Sequence, residues 1–149
     1  MRSSTDICSM PPACPEALEA VRRADWVVLG PGSWFTSVIP HLLVPELREA
    51  IVSAPGRRAV TLNLAPQAGE TDGYSPEAHL EVLASYAPDL RLDVVLADEQ
   101  VVDDLAGLRA TAKSLGAELV VADVAMGDGT PRHDPVKLAV AYAGFLTGA

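Results

Sequence analysis

The sequence predicts an α/β protein with an open parallel sheet and helices on both of its faces. Four short apolar runs occur along the chain, and none of them alternates apolar with polar residues. This pattern is expected of strands that are buried on both faces of a parallel sheet. Segments with apolar residues at helical spacing separate the runs. Right-handed crossovers between such elements produce one open sheet covered by helices on both sides.

Helices and strands are predicted in regular alternation, starting with a helix at Pro15–Arg23. The four strands are predicted at about residues 26–29, 59–64, 93–97 and 118–122. Three apolar stripes indicate later helices: His79, Val82, Leu83 and Tyr86; Leu105, Leu108, Ala112 and Leu115; and Val136, Ala139, Val140 and Ala143. A capping side chain before a proline marks two helix starts, at Ser75-Pro76 and at Asp134-Pro135.

The size and composition of the chain favour a single domain. At 149 residues the chain can bury about 68–70% of the surface that its unfolded form exposes, so it needs no disulfide or structural metal. Residues 11–149 are therefore predicted as one α/β domain, preceded by an arm at residues 1–10. Cys8 and Cys14 lack the spacing of a metal site and indicate a reducing compartment.

The charge and the N-terminal sequence limit the partners and the location. A formal net charge of -9 repels the phosphates of nucleic acids and of anionic membranes, so neither is expected as a partner. The first residues lack the apolar core of a signal peptide, and no apolar run is long enough to span a bilayer. We expect a cytoplasmic protein.

Each predicted strand is followed by a polar or glycine-rich cluster. The clusters are residues 30–37 after the first strand, Asn63 with residues 69–74 after the second, Asp98 and Glu99 after the third, and Asp123 with residues 130–134 after the fourth. The carboxyl ends of parallel strands lie at one edge of the sheet, which we call the C-terminal edge. Ligands of open α/β folds bind there, so we expect the ligand site at this edge.

The loop after the first strand has the clearest physical basis for binding an anion. Gly30 and Gly32 let a ligand approach the backbone, and Ser33, Thr36 and Ser37 offer hydroxyl groups at a helix start. Exposed N–H groups and the helix dipole favour a phosphate at such a position. The sequence GPGS matches neither GxGxxG nor GxxxxGK[ST], so a tight strand-to-helix turn is the alternative.

Other polar residues at this edge have both a ligand role and a structural alternative. The Asn63 amide either binds a ligand or caps its own turn. Arg132 is suited to a diphosphate and His133 to acid or base chemistry, whereas the alternative is a surface pair between Arg132 and the helix cap Asp134. We predict no nucleophile set, no catalytic residue and no metal site.

The remaining candidate groups have weaker support. The acidic segment Glu70-Thr71-Asp72 has two carboxylates that could bind a sugar hydroxyl or a metal, but it has no histidine partner. The alternative is that this segment only forms a polar entrance to the next helix. His41 and His79 fall on helical segments, and we interpret them as packing or surface residues.

Three segments together resemble the YvcK family: ADWVVLGPGSWFTSVIPHLLVPEL, NLAPQAGETDGYSPEAHLEVL and PRHDPVKLA. This family is also called gluconeogenesis factor or UDP-N-acetylglucosamine-binding protein, and its Rossmann-like fold is similar to that of 2-phospho-L-lactate transferase in the CofD-like superfamily. The resemblance runs from about Pro11 to the C-terminus. The segment PPACPEALEAV is most similar to actinobacterial members.

The resemblance implies a non-catalytic regulatory protein that binds a UDP-sugar. No cofactor is assigned to it besides this ligand. Such a protein links carbon metabolism to cell-wall synthesis and cell shape. The residues that it implies near the ligand are Gly30, Gly32, Ser33 and Thr36 in the first loop, Asn63 and Thr71 beside it, and Arg132 in the C-terminal wall. The alternative is an enzyme that transfers a 2-phospholactyl group from a nucleotide diphosphate to a deazaflavin.

The family also contains an N-terminal half with a glycine-rich strand-loop of the form GGGTG, which this sequence lacks. The resemblance implies that the two glycine loops bind the phosphates jointly, so we expect that half as a partner. We also expect exposed apolar surface and formation of a homo-oligomer.

Overall fold

All four strands are parallel and lie in one sheet in sequence order. In the computed structural model, which describes residues 11–147, the strands are β1 (Trp26–Leu29), β2 (Arg57–Thr61), β3 (Val94–Asp98) and β4 (Glu118–Ala122). In the register of the sheet, Val60 pairs with Leu29 on one side and with Val95 on the other. The predicted parallel α/β architecture is confirmed. The predicted arm and Cys8 lie outside the described residues.

The helices begin where proline and capping residues favour a helix start. Within residues 11–147 they are α1 (Pro15–Arg23), α2 (Pro40–Leu43), α3 (Pro45–Ser53), α4 (Pro76–Tyr86), α5 (Leu105–Ser114) and α6 (Pro135–Leu146), and a π-helical turn spans Trp34–Val38. Ser75 Oγ accepts from Ala78 N at 3.2 Å, and an Asp134 oxygen accepts from Val136 N at 2.8 Å, as predicted. No described helix is long and apolar enough to cross a membrane.

The two faces of the sheet carry cores of unequal size. The larger core packs the sheet against α1, α3, α4 and α5, and its buried side chains include Trp34, Leu80 and Leu108. On the other face, α6 covers a smaller core around Leu96 and Val124. The asymmetry follows from the strand order, because successive right-handed crossovers in one direction put all their helices on the same face.

The second strand lies earlier in the chain than the apolar run predicts. It begins at Arg57, which pairs with Trp26, although the expected start was residue 59. Leu62 N still donates to the Leu96 carbonyl at 2.9 Å, after which the chain leaves the sheet at Asn63. Polar residues can begin a strand whose start lies at the exposed end of the sheet, so an apolar run does not mark this boundary.

The apolar stripe predicted for the last helix faces away from the sheet. Val136 and Val140 are 72% and 69% exposed. The side chains that pack on the small core are instead Leu138, Tyr142 and Phe145. The spacing correctly predicts a helix, but α6 is apolar around most of its circumference, so the spacing cannot show which side is buried.

We predict that the chain self-associates through the exposed side of α6, because contiguous exposed apolar surface favours association in water. The double change Val136→Glu and Val140→Glu should reduce the average mass measured by light scattering at about tens of micromolar protein. The control is Ala106→Glu with Ala110→Glu, two exposed positions on α5 that add the same charge. A monodisperse monomer in the unchanged chain, or equal effects of the two double changes, would contradict this prediction.

Candidate functional site

A cleft at the C-terminal edge of the sheet brings together three of the predicted polar clusters. Its volume is ≈ 540 Å³, which is within the usual range of small-molecule sites. We call it the edge cleft, and it is lined by Pro31, Gly32, Asn63, Leu64, Ala65, Pro66, Gln67, Ala68, Pro131, Arg132 and His133. Gly32 and Arg132 therefore lie at the same edge of the sheet, as the architecture predicts.

The side chain of Asn63 joins the loops that follow β1 and β2. Its Oδ1 accepts from Gly32 N at 2.9 Å, and its Nδ2 donates to the Gly32 carbonyl at 2.8 Å. The amide thus satisfies both polar groups of one residue in a neighbouring loop, as a further strand residue would do. This arrangement positions Gly32 at the edge cleft and differs from the local turn cap that was the alternative for Asn63.

The two glycines of the first loop are required for different structural reasons. Gly30 has a φ of +74°, and a Cβ atom built on it would lie 2.6 Å from the Thr61 carbonyl oxygen. Gly30 therefore permits the loop to pack closely on β2. Gly32 has a φ of +140°, but a Cβ atom there would meet only Ser37 Cβ, at 3.8 Å. Its backbone conformation requires glycine, while space for a ligand remains beside it.

The start of the π-helical turn, where a phosphate was expected, is filled by side chains of this chain. Trp34 N donates to Gln67 Oε1 at 3.3 Å, and Phe35 N donates to Glu70 Oε1 at 3.2 Å. Ser33 Oγ donates to the same Glu70 oxygen at 2.5 Å. The Glu70 carboxylate thus takes the position that an anion would take at a helix start.

Five of the nine predicted ligand residues do not line the edge cleft: Gly30, Ser33, Thr36, Ser37 and Thr71. The N–H and hydroxyl groups of Thr36 both donate to Ser33 Oγ. Ser37 lies in a separate groove beside α1, β1 and α3. Thr71 is fully buried, and its hydroxyl accepts from Gln67 N at 2.7 Å. The predicted residues that converge on the edge cleft are Gly32, Asn63, Arg132 and His133.

Arg132 extends from a hairpin that precedes α6 and is closed by an antiparallel bridge between Ala125 and His133. Its side chain is 68% exposed, and its Nη2 lies 3.2 Å from Asp128 Oδ2 while its Nε donates to Thr130 Oγ1 at 3.1 Å. Hydrogen bonds from Thr130, with a smaller effect of Arg132, hold the pKa of Asp128 below its usual value. The surface pair therefore forms with Asp128 and not with Asp134, which is engaged as the cap of α6.

His133 contributes a neutral ring to the edge cleft. Its Nε2 is buried and has no hydrogen-bond partner within residues 11–147. Burial lowers the pKa of His133 below 6.5, and the Leu62 backbone and the Asp98 carboxylate offset this only in part. The imidazole is therefore uncharged at neutral pH, and the positive charge in the lining of the edge cleft comes from Arg132.

A buried carboxylate holds the hairpin that carries Arg132. Asp98, only 1% exposed, ends β3 and accepts from Val124 N at 2.8 Å, from Ala125 N at 3.0 Å and from Gln100 N at 2.9 Å. The sequence predicts Asp98 at the C-terminal edge but indicates no role for it. A carboxylate that ends an apolar strand is the feature that could have indicated this buried structural role.

A second cation at this edge, Lys137, was not predicted from the sequence. Lys137 Nζ donates to both Asp123 oxygens, at 2.9 and 2.7 Å, and to the Ala125 carbonyl at 2.9 Å. The hydrogen bond to Asp123 is the main cause that raises the pKa of Lys137. Since its three N–H groups are already directed at oxygen atoms, Lys137 is less available to a ligand than Arg132 is.

The fold and the edge cleft define a class of protein: an α/β protein whose candidate site lies at the carboxyl ends of parallel strands, between a glycine loop and an arginine. The sequence profile of the family described as 2-phospho-L-lactate transferase CofD matches residues 5–131. The chain belongs to this family.

Relatives with the gluconeogenesis factor name confirm the resemblance to the YvcK family. A Mycobacterium tuberculosis (strain ATCC 25618 / H37Rv) protein that provisionally carries this name is 51% identical over 137 residues, which are 90% of this chain and 40% of that protein. The gluconeogenesis factor of Halalkalibacterium halodurans is 39% identical over 119 residues, which are 77% of this chain and 36% of that protein. The chain thus spans about 40% of the length of these relatives.

A solved structure supports the same assignment of the fold. The crystal structure of an UPF0052 family member from Bacillus halodurans superposes with a TM-score of 0.72 at 31% sequence identity. The match covers 87% of this chain and 46% of that one. The described α/β fold therefore corresponds to slightly less than half of the solved chain.

We predict that Glu70→Ala destabilises the protein by about 1–3 kcal/mol, because it leaves Ser33 Oγ and Phe35 N without their shared acceptor. The loss is measured as the change in the free energy of unfolding in urea. Glu81→Ala, at an exposed position of α4, is the control and should cost less than about 0.5 kcal/mol. Equal stability of the two variants would show that Glu70 does not hold the turn.

Proposed function

We propose that this chain forms the nucleotide-sugar-binding part of a cytoplasmic regulatory protein that links carbon metabolism to cell-wall synthesis and cell shape. The proposed ligand is of the UDP-N-acetylglucosamine type. Membership of the CofD family and the gluconeogenesis factor name of its relatives support this class of function. The ligand and the link to the cell wall are parts of the proposal.

The observation that carries the proposal is the convergence of Gly32, Gln67 and Arg132 on the edge cleft. The left-handed backbone at Gly32 has open space beside it, and Gln67 lines the same cleft from the loop after β2. Arg132 provides a cation in a chain of net charge -9. A guanidinium group beside a cleft with open space at a glycine suits a diphosphate better than it suits a neutral ligand.

The present partner of Arg132 does not prevent this role. An exposed ion pair such as Arg132 with Asp128 contributes only about 0–1 kcal/mol. A diphosphate presents several charged oxygens, and a guanidinium group can bind two of them at once. We therefore propose that Arg132 exchanges Asp128 for the diphosphate when the ligand binds.

The proposed partner of this chain is the N-terminal half of the family fold. Because this chain spans about 40% of its relatives, we propose that the N-terminal half of the family fold faces the edge cleft with its own glycine loop. Both loops would then bind the phosphates, and affinity should be higher in the presence of that half. Binding is therefore measured with the chain alone and with the chain joined to the N-terminal half of an actinobacterial relative.

The second candidate function is the transfer of a 2-phospholactyl group to a deazaflavin, which the family description favours. This reaction would use the same edge cleft for a nucleotide diphosphate donor. Among residues 11–147, no three His, Cys, Asp or Glu side chains are grouped so that they could hold a metal ion. A deazaflavin transfer assay with and without divalent metal, on the same protein preparation, distinguishes the two functions.

We predict that Arg132→Ala weakens binding of UDP-N-acetylglucosamine by roughly tenfold to more than a hundredfold, since a charge-assisted hydrogen bond contributes about 1.5–3 kcal/mol. Isothermal titration gives the dissociation constants. His133→Ala should have a much smaller effect, because its ring is neutral.

The control for this prediction is Arg109→Ala, which removes the same charge from an exposed position of α5. Equal losses in Arg132→Ala and Arg109→Ala would mean that net charge alone governs binding. Unchanged affinity in Arg132→Ala would remove this residue from the site. Formation of transfer product that depends on His133 or on a metal would favour the transferase instead.

A further inference from the structure

Strand β1 has one side that no other described strand covers. Within residues 11–147 it pairs with β2 on one side and with no strand on the other, which we call the open side. The Asp25 carbonyl accepts from Arg57 N of β2 at 2.8 Å. Because backbone groups of successive strand residues point to alternate sides, those of Trp26 and Val28 point to the open side. Both residues therefore present an N–H donor and a C=O acceptor to a further strand.

Helix α1 extends the open side into a larger surface. It packs beside α3, and none of its residues is buried. A groove of ≈ 320 Å³ between α1, α3 and β1 has Ala20 and Val28 in its lining. A second hollow along α1 is lined by Glu16, Glu19, Ala20 and Arg23, among others. Since Ala20 lines both, the exposed face of α1 continues into the groove beside β1.

The charges of α1 are complementary to those of a second, antiparallel α1. Glu16 and Glu19 lie in its first half, Arg22 and Arg23 lie in its last turn, and all four are exposed. Within the helix, Arg23 Nη1 is 3.7 Å from Glu19 Oε1, a solvated contact that contributes little. Two antiparallel copies place each acidic half beside a basic half, whereas two parallel copies place like charges together.

A second copy of the chain satisfies the backbone and the helix charges with the same symmetry. A two-fold axis pairs a strand with its own copy in antiparallel orientation. With Trp26 of one copy opposite Val28 of the other, each outward N–H group meets an outward C=O group. The same axis makes the two α1 helices antiparallel on one face of the combined sheet, as their charges require.

The opposite edge of the sheet is less suited to such pairing. Strand β4 begins at the exposed Glu118 and is followed by Asp123. Antiparallel pairing of two β4 strands would bring these carboxylates close together, and like charges opposite each other are unfavourable. Charged residues commonly protect an edge strand against pairing. The residues of β1 are all apolar, so β1 lacks this protection.

We infer that the open side of β1 and the exposed face of α1 form a homodimer interface, in which two four-stranded sheets join antiparallel into one. The two-fold axis directs the C-terminal edges of the two copies in opposite directions, so both edge clefts stay accessible. This inference is independent of the ligand in the proposed function. The interface is also distinct from the exposed side of α6, which lies on the smaller core.

The first test compares two proline substitutions, Val28→Pro and Val121→Pro. The two valines are each 37% exposed and lie in the two edge strands. Glu118 N donates to the Asp93 carbonyl, so by alternation the N–H group of Val121 points away from β3. Proline at either position removes an outward donor and leaves the pairing with the neighbouring strand in place.

Both prolines are introduced into the chain with Val136→Glu and Val140→Glu, so that α6 does not contribute to association. Light scattering at about tens of micromolar protein and about 0.15 M salt should give a dimer for this parent chain and for Val121→Pro, and a monomer for Val28→Pro. A monomeric parent chain, or equal effects of the two prolines, would overturn the inference.

A charge exchange provides a second test that does not depend on proline. Glu16→Lys with Glu19→Lys makes α1 basic along its length, and Arg22→Glu with Arg23→Glu makes it acidic. Each variant alone should be mainly monomeric, because its two copies repel, and an equimolar mixture should form a mixed dimer. Native mass spectrometry distinguishes the mixed dimer from the two homodimers. A mixture that forms no mixed dimer would overturn the inference even if Val28→Pro does not fold.

The control for the charge exchange has the same net charges at exposed positions away from α1. It mixes Glu49→Lys with Glu81→Lys and Arg109→Glu with Lys113→Glu. In the control, each variant alone should remain dimeric. If the control pair forms its mixed dimer as selectively as the α1 pair does, attraction between oppositely charged chains explains the result, and the interface is wrong.

The N-terminal half of the family fold is the alternative occupant of the open side. When that half of an actinobacterial relative is added as a separate chain, the homodimer should persist. Replacement of the homodimer by a one-to-one complex that Val28→Pro prevents would assign the open side to that half and overturn the inference.

Discussion

The reciprocal pair of hydrogen bonds between the Asn63 amide and the Gly32 backbone is the constraint on which the edge cleft depends. Parallel strands bring the loops after β1 and β2 to one edge of the sheet, but the pairing of these two strands ends at Leu29 and Val60. Beyond that point the Asn63 side chain continues the connection between the two loops. The close approach of Gly30 to the Thr61 carbonyl adds a second fixed point. The loops after β1 and β2 are therefore positioned before any ligand is present.

This arrangement moves the proposed phosphate position away from the helix start. The N–H groups that would bind an anion there already donate to Gln67 and Glu70, and one of these acceptors is itself a carboxylate. A phosphate at that place would have to displace the carboxylate against charge repulsion. The edge cleft offers Arg132, whose exposed partner Asp128 does not line the cleft, and the buried Asp98 fixes the hairpin that carries this arginine. The site is thus built from three loops.

Features that depend on local sequence were predicted well, and those that depend on distant pairs were not. The caps at Ser75 and Asp134 and the four strands follow from turn chemistry and apolar runs. The pairing of Glu70 with Ser33, 37 positions away, has no local pattern. The buried side of α6 was also beyond prediction, because a helix that is apolar all round has no preferred face until the sheet selects one.

The most direct test of this account is to locate the diphosphate by backbone amide NMR during titration with UDP-N-acetylglucosamine. If the edge cleft binds the diphosphate, the amide resonances of Gly32, Gln67 and Arg132 should shift with a common dissociation constant. The amide of Phe35 should remain unchanged, because Glu70 occupies its position at the start of the turn. Shifts at Phe35 and Thr36 without a shift at Arg132 would place the phosphates at the helix start and contradict the account.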